Sequence, residues 1–174
     1  DDNNQNVTNV AIADDSLEQN IANVSLEESS SDSLAIANTP GTFNDLKNLI
    51  DNAAPSSTIT LDNDYKWSSG ESTQFSITKS LTIDGNGHTI DCTSNGVNLF
   101  NIYGDYTNTL SLKNLNIING GYIAWGNAGN CYLDNVTISN CSAQYLLGDS
   151  VSIYVSNSYF YNNTVTMSII SNMM

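Results

Sequence analysis

The stretch LKNLNIIN at residues 112–119 decides the fold, because the chain repeats it as LDNVTISN at 133–140 and as VSNSYFYN at 155–162. The central asparagines of the three copies are Asn114, Asn135 and Asn157, and they follow one another at a nearly constant spacing. A period of about 20 to 25 residues, in short β-rich phrases that asparagine and glycine interrupt, is typical of a β-solenoid. Each copy is then one turn of a coil, and neighbouring coils bury one another's apolar faces.

Asparagine is the most abundant residue type in the chain. Its side chain tolerates left-handed backbone geometry and caps turns, so asparagine suits the corners of a coil, where like side chains can stack from turn to turn. A disordered, asparagine-rich chain is the alternative. The regular isoleucine, leucine, valine and tyrosine content after residue 58 argues against it.

The charge balance narrows the classes of partner. The net charge is −14, from 18 acidic residues against four lysines and no arginine. Phosphate contacts need lysine and arginine, so we predict no nucleic-acid partner, and anionic membrane surfaces are disfavoured for the same reason. A polyanionic substrate would need a bound cation to offset the repulsion. The chain contains no stretch of about 18 apolar residues, so we predict no membrane insertion.

Composition divides the chain into three parts. Residues 1–39 hold eight acidic residues and no lysine or aromatic residue, which predicts a disordered, acidic, Ser/Asn-rich spacer. Residues 40–57 contain a predicted amphipathic helix, which Thr42 opens with Asp45 near its positive end. Its apolar positions recur at steps of three and four, at Phe43, Leu46, Leu49, Ile50 and Ala53. We expect this helix to cap the first coil, which otherwise exposes apolar side chains and strand edges.

Residues 58–174 are the predicted parallel β-helix. Alternation of Leu81 and Ile83 with Thr82 and Asp84 puts one set of side chains inward and the other outward. At the observed period this range holds roughly five coils. The pattern stops without a polar cap after Met174, so we expect a β-helix truncated at its C-terminal end, whose open coil can stack end to end on another chain.

A resemblance to a known family covers about residues 40–170. It rests on a helix followed by STITL at 57–61 and SLTIDGNGHTID at 80–91, and on the Asn-Cys and Asn-Asn-Thr phrases at 140–141 and 162–164. This run resembles the start of the right-handed parallel β-helix in pectin-lyase-like surface proteins. It is most similar to the adhesin-like proteins of methanogenic archaea.

The resemblance implies an exported protein that sits at the cell surface and mediates attachment. We therefore predict a secreted or cell-surface, non-catalytic module whose repetitive β-helix surface binds glycans or a protein partner. Two alternatives remain open. The chain is the N-terminal part of a carbohydrate-active β-helix enzyme, a lyase or hydrolase, or it is a purely structural surface stalk.

We assign no residue to catalysis, to a cofactor or to a metal. The resemblance would imply an arginine base for pectate-lyase chemistry, and the chain has no arginine. We interpret His88, the only histidine, as a turn residue. We interpret Asp62, Asp64 and Asp84 as solvated turn carboxylates, since the calcium-binding repeat of β-rolls is missing.

Aromatic residues are the better indication of binding, because rings with polar handles stack on sugars or anchor protein partners. The candidates for ligand contact are Trp67 and Tyr65, in an irregular loop, and Trp125, in the coils. We expect Trp67 to be exposed, since Lys66 and Ser68 flank it. About half of the remaining coil aromatics are expected in the core or in ladders.

Sequons and cysteines bear on the compartment. The sequons favour export, and they mark as candidate glycosylation sites Asn6, Asn23, Asn135, Asn140 and Asn162. The three cysteines cannot all pair within one chain, so we expect small buried side chains near the coil corners. A disulfide between Cys131 and Cys141 is the alternative in an oxidising compartment.

Overall fold

A computed structural model describes residues 39–93 and 96–171 of the chain. The acidic spacer predicted for residues 1–39 lies outside the described residues, apart from Thr39. The predicted glycosylation sites Asn6 and Asn23 lie outside them as well. Within the described part, no helix has the length and apolar content needed to cross a membrane.

The described residues form short strands and a single helix. In chain order these elements are β1 (Gly41–Thr42), α1 (Phe43–Asn52), β2 (Thr58–Thr60), β3 (Tyr65–Lys66), β4 (Phe75–Ile77), β5 (Leu81–Asp84), β6 (Thr89–Asp91), β7 (Phe100–Ile102), β8 (Thr109–Ile118), β9 (Ala124–Gly126), β10 (Asn130–Ser139), β11 (Ser142–Gly148), β12 (Ser152–Ser156), β13 (Tyr159–Tyr161) and β14 (Thr164–Ser171).

The strands stack into a parallel β-solenoid, which confirms the predicted fold class. One sheet has nine strands, and it includes the ladder β1-β3-β6-β8-β10-β13 and the ladder β2-β5-β8-β10-β12. The second sheet has five strands, in the order β14-β11-β9-β7-β4. The first ladder gives about six turns, where the sequence predicted roughly five. The additional level is β1, whose two residues pair with β3 and are too few to show a pattern.

Asparagines form the corners of the coil. Asn114, Asn135 and Asn157 have φ angles of 48°, 56° and 50°, in the left-handed region that asparagine tolerates better than other side chains. The Nδ2 group of Asn135 donates to Oδ1 of Asn114 at 2.9 Å, so the corner is also a side-chain ladder. A second corner repeats the geometry at Asn119, Asn140 and Asn162, with φ angles of 62°, 55° and 53°. The repeated asparagines therefore set where each turn bends.

The core follows from strand alternation. In β8, Leu110, Leu112, Leu115 and Ile117 are buried, and the switch of parity between Leu112 and Leu115 coincides with the bend at Asn114. The same inward positions in β10 carry Cys131, Leu133, Val136 and Ile138, which register places directly above them. Each turn thus buries its apolar side chains against those of its neighbours.

The predicted helix is confirmed in a shorter range, Phe43–Asn52. Thr42 is its N-cap, and the Thr42 and Asp45 side chains form a reciprocal capping box. The Phe43 ring lies 5.4 Å from the Phe75 ring of the first turn, so the helix shares the core of the solenoid. Leu49 departs from the predicted apolar stripe. It is 40% exposed, because it lies at the edge of the face that packs on the coils.

The three cysteines are buried and free, as the preferred interpretation expected. Cys131 lies near the start of β10 and Cys141 just beyond its end, so the alternative Cys131–Cys141 disulfide is not formed. Burial raises the pKa of Cys131 to about 12. The thiols act as small apolar side chains in the core.

The last described turn is less covered than the others. Val155 and Ile170 occupy inward positions, since register pairs them with the buried Leu133 and Leu147. They are nevertheless 40% and 39% exposed. Among the described residues no further strand stacks on β12, β13 or β14.

Candidate binding surface

Two rows of outward side chains cross the ladder β2-β5-β8-β10-β12. Register places one side chain per turn directly above the last, about 4.8 Å apart. The first row, here called the tyrosine row, runs through Thr58, Thr82, Ser111, Tyr132 and Tyr154. The second, the charged row, runs through Thr60, Asp84, Lys113, Asp134 and Ser156.

The tyrosine row ends in a stacked pair of rings. The Tyr132 and Tyr154 rings are 4.5 Å apart between centroids and only 9° from parallel, and the residues are 42% and 48% exposed. A centroid separation close to the strand spacing means that the rings stack along the ladder. The other face of Tyr132 therefore points towards Ser111, whose side chain is too small to cover an aromatic ring. One aromatic face remains available to a ligand.

The charged row alternates in sign along the ladder. Asp84 lies one turn before Lys113, and Asp134 one turn after it. The Lys113 ammonium makes no ion pair within 4.0 Å and no hydrogen bond to a described residue, whereas Lys47 and Lys66 pair with carboxylates and Lys79 donates to a backbone carbonyl. The one cation that the described strands bring to this face is thus free to donate to a ligand.

The corner asparagines orient both carboxylates. Oδ1 of Asp84 accepts from the Asn86 amide at 2.9 Å and from Asn114 Nδ2 at 3.1 Å. These hydrogen bonds, with a smaller contribution from Lys113, lower the pKa of Asp84. The second carboxylate oxygen, Oδ2, has no hydrogen bond among the described residues. Oδ2 is therefore an outward-facing hydrogen-bond acceptor that is held in a fixed position.

Asp134 is held in the same way two turns further on. Its Oδ1 accepts from Asn157 Nδ2 and from the Ser156 hydroxyl, each at 2.9 Å. The hydrogen bond from Asn157 is the largest cause of the lowered pKa of Asp134, followed by that from Ser156. Its Oδ2 also lacks a hydrogen-bond partner within the described part of the chain. Both acids are therefore ionised at neutral pH and preorganised.

These two rows enclose a shallow cavity of about 310 Å³, here called the tyrosine groove. It combines an aromatic pair, a free ammonium, an oriented carboxylate and two serine hydroxyls, from Ser111, Lys113, Tyr132, Asp134, Tyr154 and Ser156. A ring placed on Ser111 would face Tyr132 and lie beside the charged row. The arrangement suits a ring-shaped ligand with a polar rim.

A second cavity, of about 490 Å³, lies between α1 and β2. Its lining includes the exposed Leu49 together with Asn48, Asn52 and Ile59. No titratable side chain is among the described residues that line it. It offers apolar surface and amides, without a charged group to orient a ligand.

The expectation that Trp67 is exposed is wrong. The Trp67 side chain is half-buried and packs on the hydrophobic core, and its Nε1 atom is buried without a hydrogen-bond partner among the described residues. The reason is register: Trp67 follows Lys66, which pairs with Asp91, so Trp67 falls on the next inward position at a corner. Its polar neighbours face outward and were a false indication.

Tyr65 is also misplaced among the predicted ligand contacts. It is only 4% exposed, and its hydroxyl donates to Oδ1 of Asp62 at 3.2 Å. Burial, and then the Asp62 carboxylate, raise the pKa of Tyr65 to about 12. Its ring lies under Gly41, where an added Cβ atom would come within 2.7 Å of the ring. Tyr65 is a core residue.

Trp125 lies on the five-stranded sheet, away from the tyrosine groove. It is half-buried, its register partner on the preceding turn is Asn101, and its ring is 6.0 Å from that of Tyr122. Tyr122 in turn contacts Tyr145 edge to face at 5.1 Å. This second aromatic cluster leaves Trp125 as a candidate contact and does not bring it together with the other two.

Of the residues interpreted as turn groups, His88, Asp62 and Asp64 lie in the connections between strands. Asp84 does not: it is the last residue of β5 and belongs to the charged row. His88 Nδ1 is 3.2 Å from Oδ1 of Asp64, which also accepts from the Thr89 amide at 2.8 Å. Over residues 39–93 and 96–171, no three histidine, cysteine or acidic side chains gather closely enough to hold a metal ion.

The sequon asparagines within the described range, Asn135, Asn140 and Asn162, are exposed corner residues. Asn135 uses its amide nitrogen in the corner ladder, so one of its two N–H bonds is already engaged. Their glycosylation stays a prediction.

The sequence reasoning missed the tyrosine groove, although the signal was present. Tyr132 and Tyr154 are separated by one repeat, so the period alone places one above the other. Lys113 and Asp134 are likewise one repeat apart.

Comparison with known families agrees with this architecture. A family model described as "Putative pectate lyase-like adhesive domain" matches residues 37–146. No curated protein and no solved structure matches the chain. The match supports the predicted parallel β-helix family and an adhesin-like module, and it does not test the predicted archaeal origin. Because the match covers more than half of the chain, including all of β8 and β10 and most of β11, the protein belongs to the pectate lyase-like adhesive domain family.

Proposed function

We propose that this protein is a non-catalytic adhesive module, secreted or held at a cell surface, that binds glycans at the tyrosine groove. The observation that carries the proposal is the exposed, stacked Tyr132–Tyr154 pair beside a free ammonium and an oriented carboxylate. The family description supports an adhesive role at the level of the domain.

The chemistry of the groove fits a sugar. The C–H face of a pyranose ring is weakly positive and packs on the negative face of an aromatic ring. The hydroxyl rim then needs donors and acceptors at fixed positions, and Lys113 and Asp134 provide one of each. A groove that is shallow and open suits one short stretch of a longer glycan chain, with affinity gained from many copies of the domain.

A glycan array probed with the full chain tests the proposal. Tyr132→Ser continues the serine of the preceding turn and removes the aromatic face, so binding should fall by about 2- to 10-fold, as expected for a stacking contact of about 0.5–1.5 kcal/mol. Tyr159→Ser is the matched control, because Tyr159 is 68% exposed in β13 and lies outside the groove. Equal losses in both variants, or no glycan bound, would refute the proposal.

A second candidate function is structural, and the last turn favours it. Val155 and Ile170 expose about two fifths of their surface at inward positions, which suits stacking on a β-coil of a second copy. Sedimentation velocity over a range of concentrations tests this function. Oligomers that Val155→Lys abolishes would support a stalk or assembly unit, and a concentration-independent monomer would contradict it.

The catalytic alternative, an N-terminal part of a polysaccharide lyase or hydrolase, has less support. The family description is adhesive. The His88–Asp64 pair lies in a turn of the early coils, and register places neither residue in the tyrosine or charged row. An assay for release of unsaturated or reducing sugar ends from array-positive glycans addresses this alternative.

A further inference from the structure

We propose that the tyrosine groove selects uncharged glycans and disfavours acidic ones. This inference rests on the proposed function and names the ligand class of the same site. It follows from the sign, order and orientation of three charged side chains that lie on successive turns.

The first step is the local charge. Lys113 lies between Asp84 and Asp134 in the charged row, one turn from each, so the three groups sum to −1. A ligand carboxylate beside the Lys113 ammonium is therefore near two like charges at a comparable distance. For one unbalanced charge at about 6 Å in water, Coulomb's law gives roughly a threefold loss of affinity. The chain's net charge of −14 acts in the same direction.

The second step concerns the hydrogen-bonding capacity of the two carboxylates, Asp84 and Asp134. Both acids bind the corner through Oδ1 and leave Oδ2 without a partner among the described residues. An ionised carboxylate only accepts hydrogen bonds, so a ligand that displaces water from these oxygens must itself supply donors. Sugar hydroxyls are donors. An acidic sugar replaces a hydroxymethyl group with a carboxylate that cannot donate, or masks a hydroxyl as a sulfate, and so displaces water without replacing its donor.

The third step is rigidity. Asn157 and Ser156 hold Asp134, and Asn86 and Asn114 hold Asp84, so neither acid can turn away from an anionic ligand without losing two hydrogen bonds. The repulsion is thus built into the corners of the coil. An acidic polysaccharide such as pectate belongs to the class that this groove disfavours.

The test uses an array of glycans in matched pairs that share a backbone and differ in charge: an oligouronate with its methyl ester, and a sulfated oligosaccharide with its desulfated form. The full chain should bind the uncharged member of a recognised pair at least threefold more tightly at low ionic strength. Raising the salt should narrow the difference, since screening weakens the repulsion. Tyr132→Ser should weaken binding of the uncharged member.

Two isosteric variants isolate the cause. Asp134→Asn removes one groove charge and should reduce the discrimination by about threefold, because the remaining local charge is zero. Asp51→Asn removes the same charge from α1, outside both rows, and should leave the discrimination unchanged.

The outcomes separate the two proposals. Equal or tighter binding of the acidic member, lost in Tyr132→Ser, would overturn the charge selection and keep the groove as a glycan site. Discrimination that Asp134→Asn and Asp51→Asn reduce equally would also overturn it, by assigning the effect to net charge. Absence of any Tyr132-dependent binding would refute the proposed function, and the selection with it.

Discussion

Asn135 offers the sharpest test of how the coil is built. Its φ angle is 56°, and its Nδ2 donates to Asn114 Oδ1 on the preceding turn. Alanine in the left-handed region costs about 1–2 kcal/mol. Loss of an exposed side-chain hydrogen bond adds about 0.5–1 kcal/mol. Asn135→Ala should therefore lower the free energy of unfolding by about 2 kcal/mol.

Glycine separates the backbone from the side chain. Asn135→Gly loses the same hydrogen bond and about 0.5–1 kcal/mol of chain entropy, but it adopts a positive φ without steric cost. We expect it to lower the free energy of unfolding by about 1.5 kcal/mol, so the glycine variant should be the more stable of the two by about 0.5–1 kcal/mol. This order is the decisive quantity, because alanine is the more stable choice wherever φ is negative.

Urea unfolding followed by circular dichroism measures the order, on protein made in a host that does not glycosylate the sequon. The control is the same pair of substitutions at Asn116, which lies in β8 with an extended backbone and also donates one side-chain hydrogen bond, to the Gly87 carbonyl. There Ala should be more stable than Gly. An alanine variant at 135 that equals or exceeds the glycine variant would refute the left-handed corner.

Three further predictions concern packing, acid stability and thiol reactivity. Gly85→Ala should lower the free energy of unfolding by about 3 kcal/mol, because the added Cβ would lie 2.6 Å from the Asn114 carbonyl oxygen and 2.7 Å from the Leu115 Cα atom. The control Ser76→Ala, at an exposed strand position, should change it by less than about 0.5 kcal/mol. Similar values for the two variants would contradict the close packing at Gly85. The pKa of Asp84 is lowered in the fold, so the stability that this carboxylate contributes is present above the ordinary carboxyl pKa of about 3.9 and is lost as the pH falls through the lowered pKa. Between pH 5 and pH 2 the urea midpoint should therefore fall more in the wild type than in Asp84→Asn. An equal fall would argue against the hydrogen bonds from Asn86 and Asn114 to Asp84. We expect all three thiols to resist an aromatic disulfide reagent at pH 8 in the native state and to react fully in denaturant, because burial raises the pKa of each thiol and shields it. The three residues are Cys92, Cys131 and Cys141. Rapid reaction of any of them in the native state would contradict the buried core.

Much of the fold could be predicted because a constant repeat length determines which residues of successive turns stack on one another. The nearly constant period fixed the stacking of Asn114, Asn135 and Asn157, and their residue type fixed where the chain bends. The helix was also predictable, since Thr42 and Asp45 form a capping box visible in sequence. The two-residue strand β1 was not, because two residues carry no periodicity.

The individual aromatic positions were harder to predict than the fold. Trp67 and Tyr65 fall in an early coil whose loop departs from the repeat, so no register could be assigned there, and polar neighbours were a poor guide to burial. Tyr132 and Tyr154 fall inside the regular coils, where register was available from the period. Outward residues that are one repeat apart, such as Tyr132 and Tyr154, lie side by side on a solenoid face, so an alignment of successive turns identifies such a site.

Nuclear magnetic resonance of the tyrosine rings tests the central claim most directly. The full chain, labelled with ¹³C in tyrosine rings and assigned by single Tyr→Phe variants, would be titrated with an array-positive glycan. We predict that the ring signals of Tyr132 and Tyr154 shift in a saturable way with one affinity, while those of Tyr122 and Tyr145 stay in place. Shifts confined to Tyr122 and Tyr145, or none at any tyrosine, would contradict binding at the tyrosine groove.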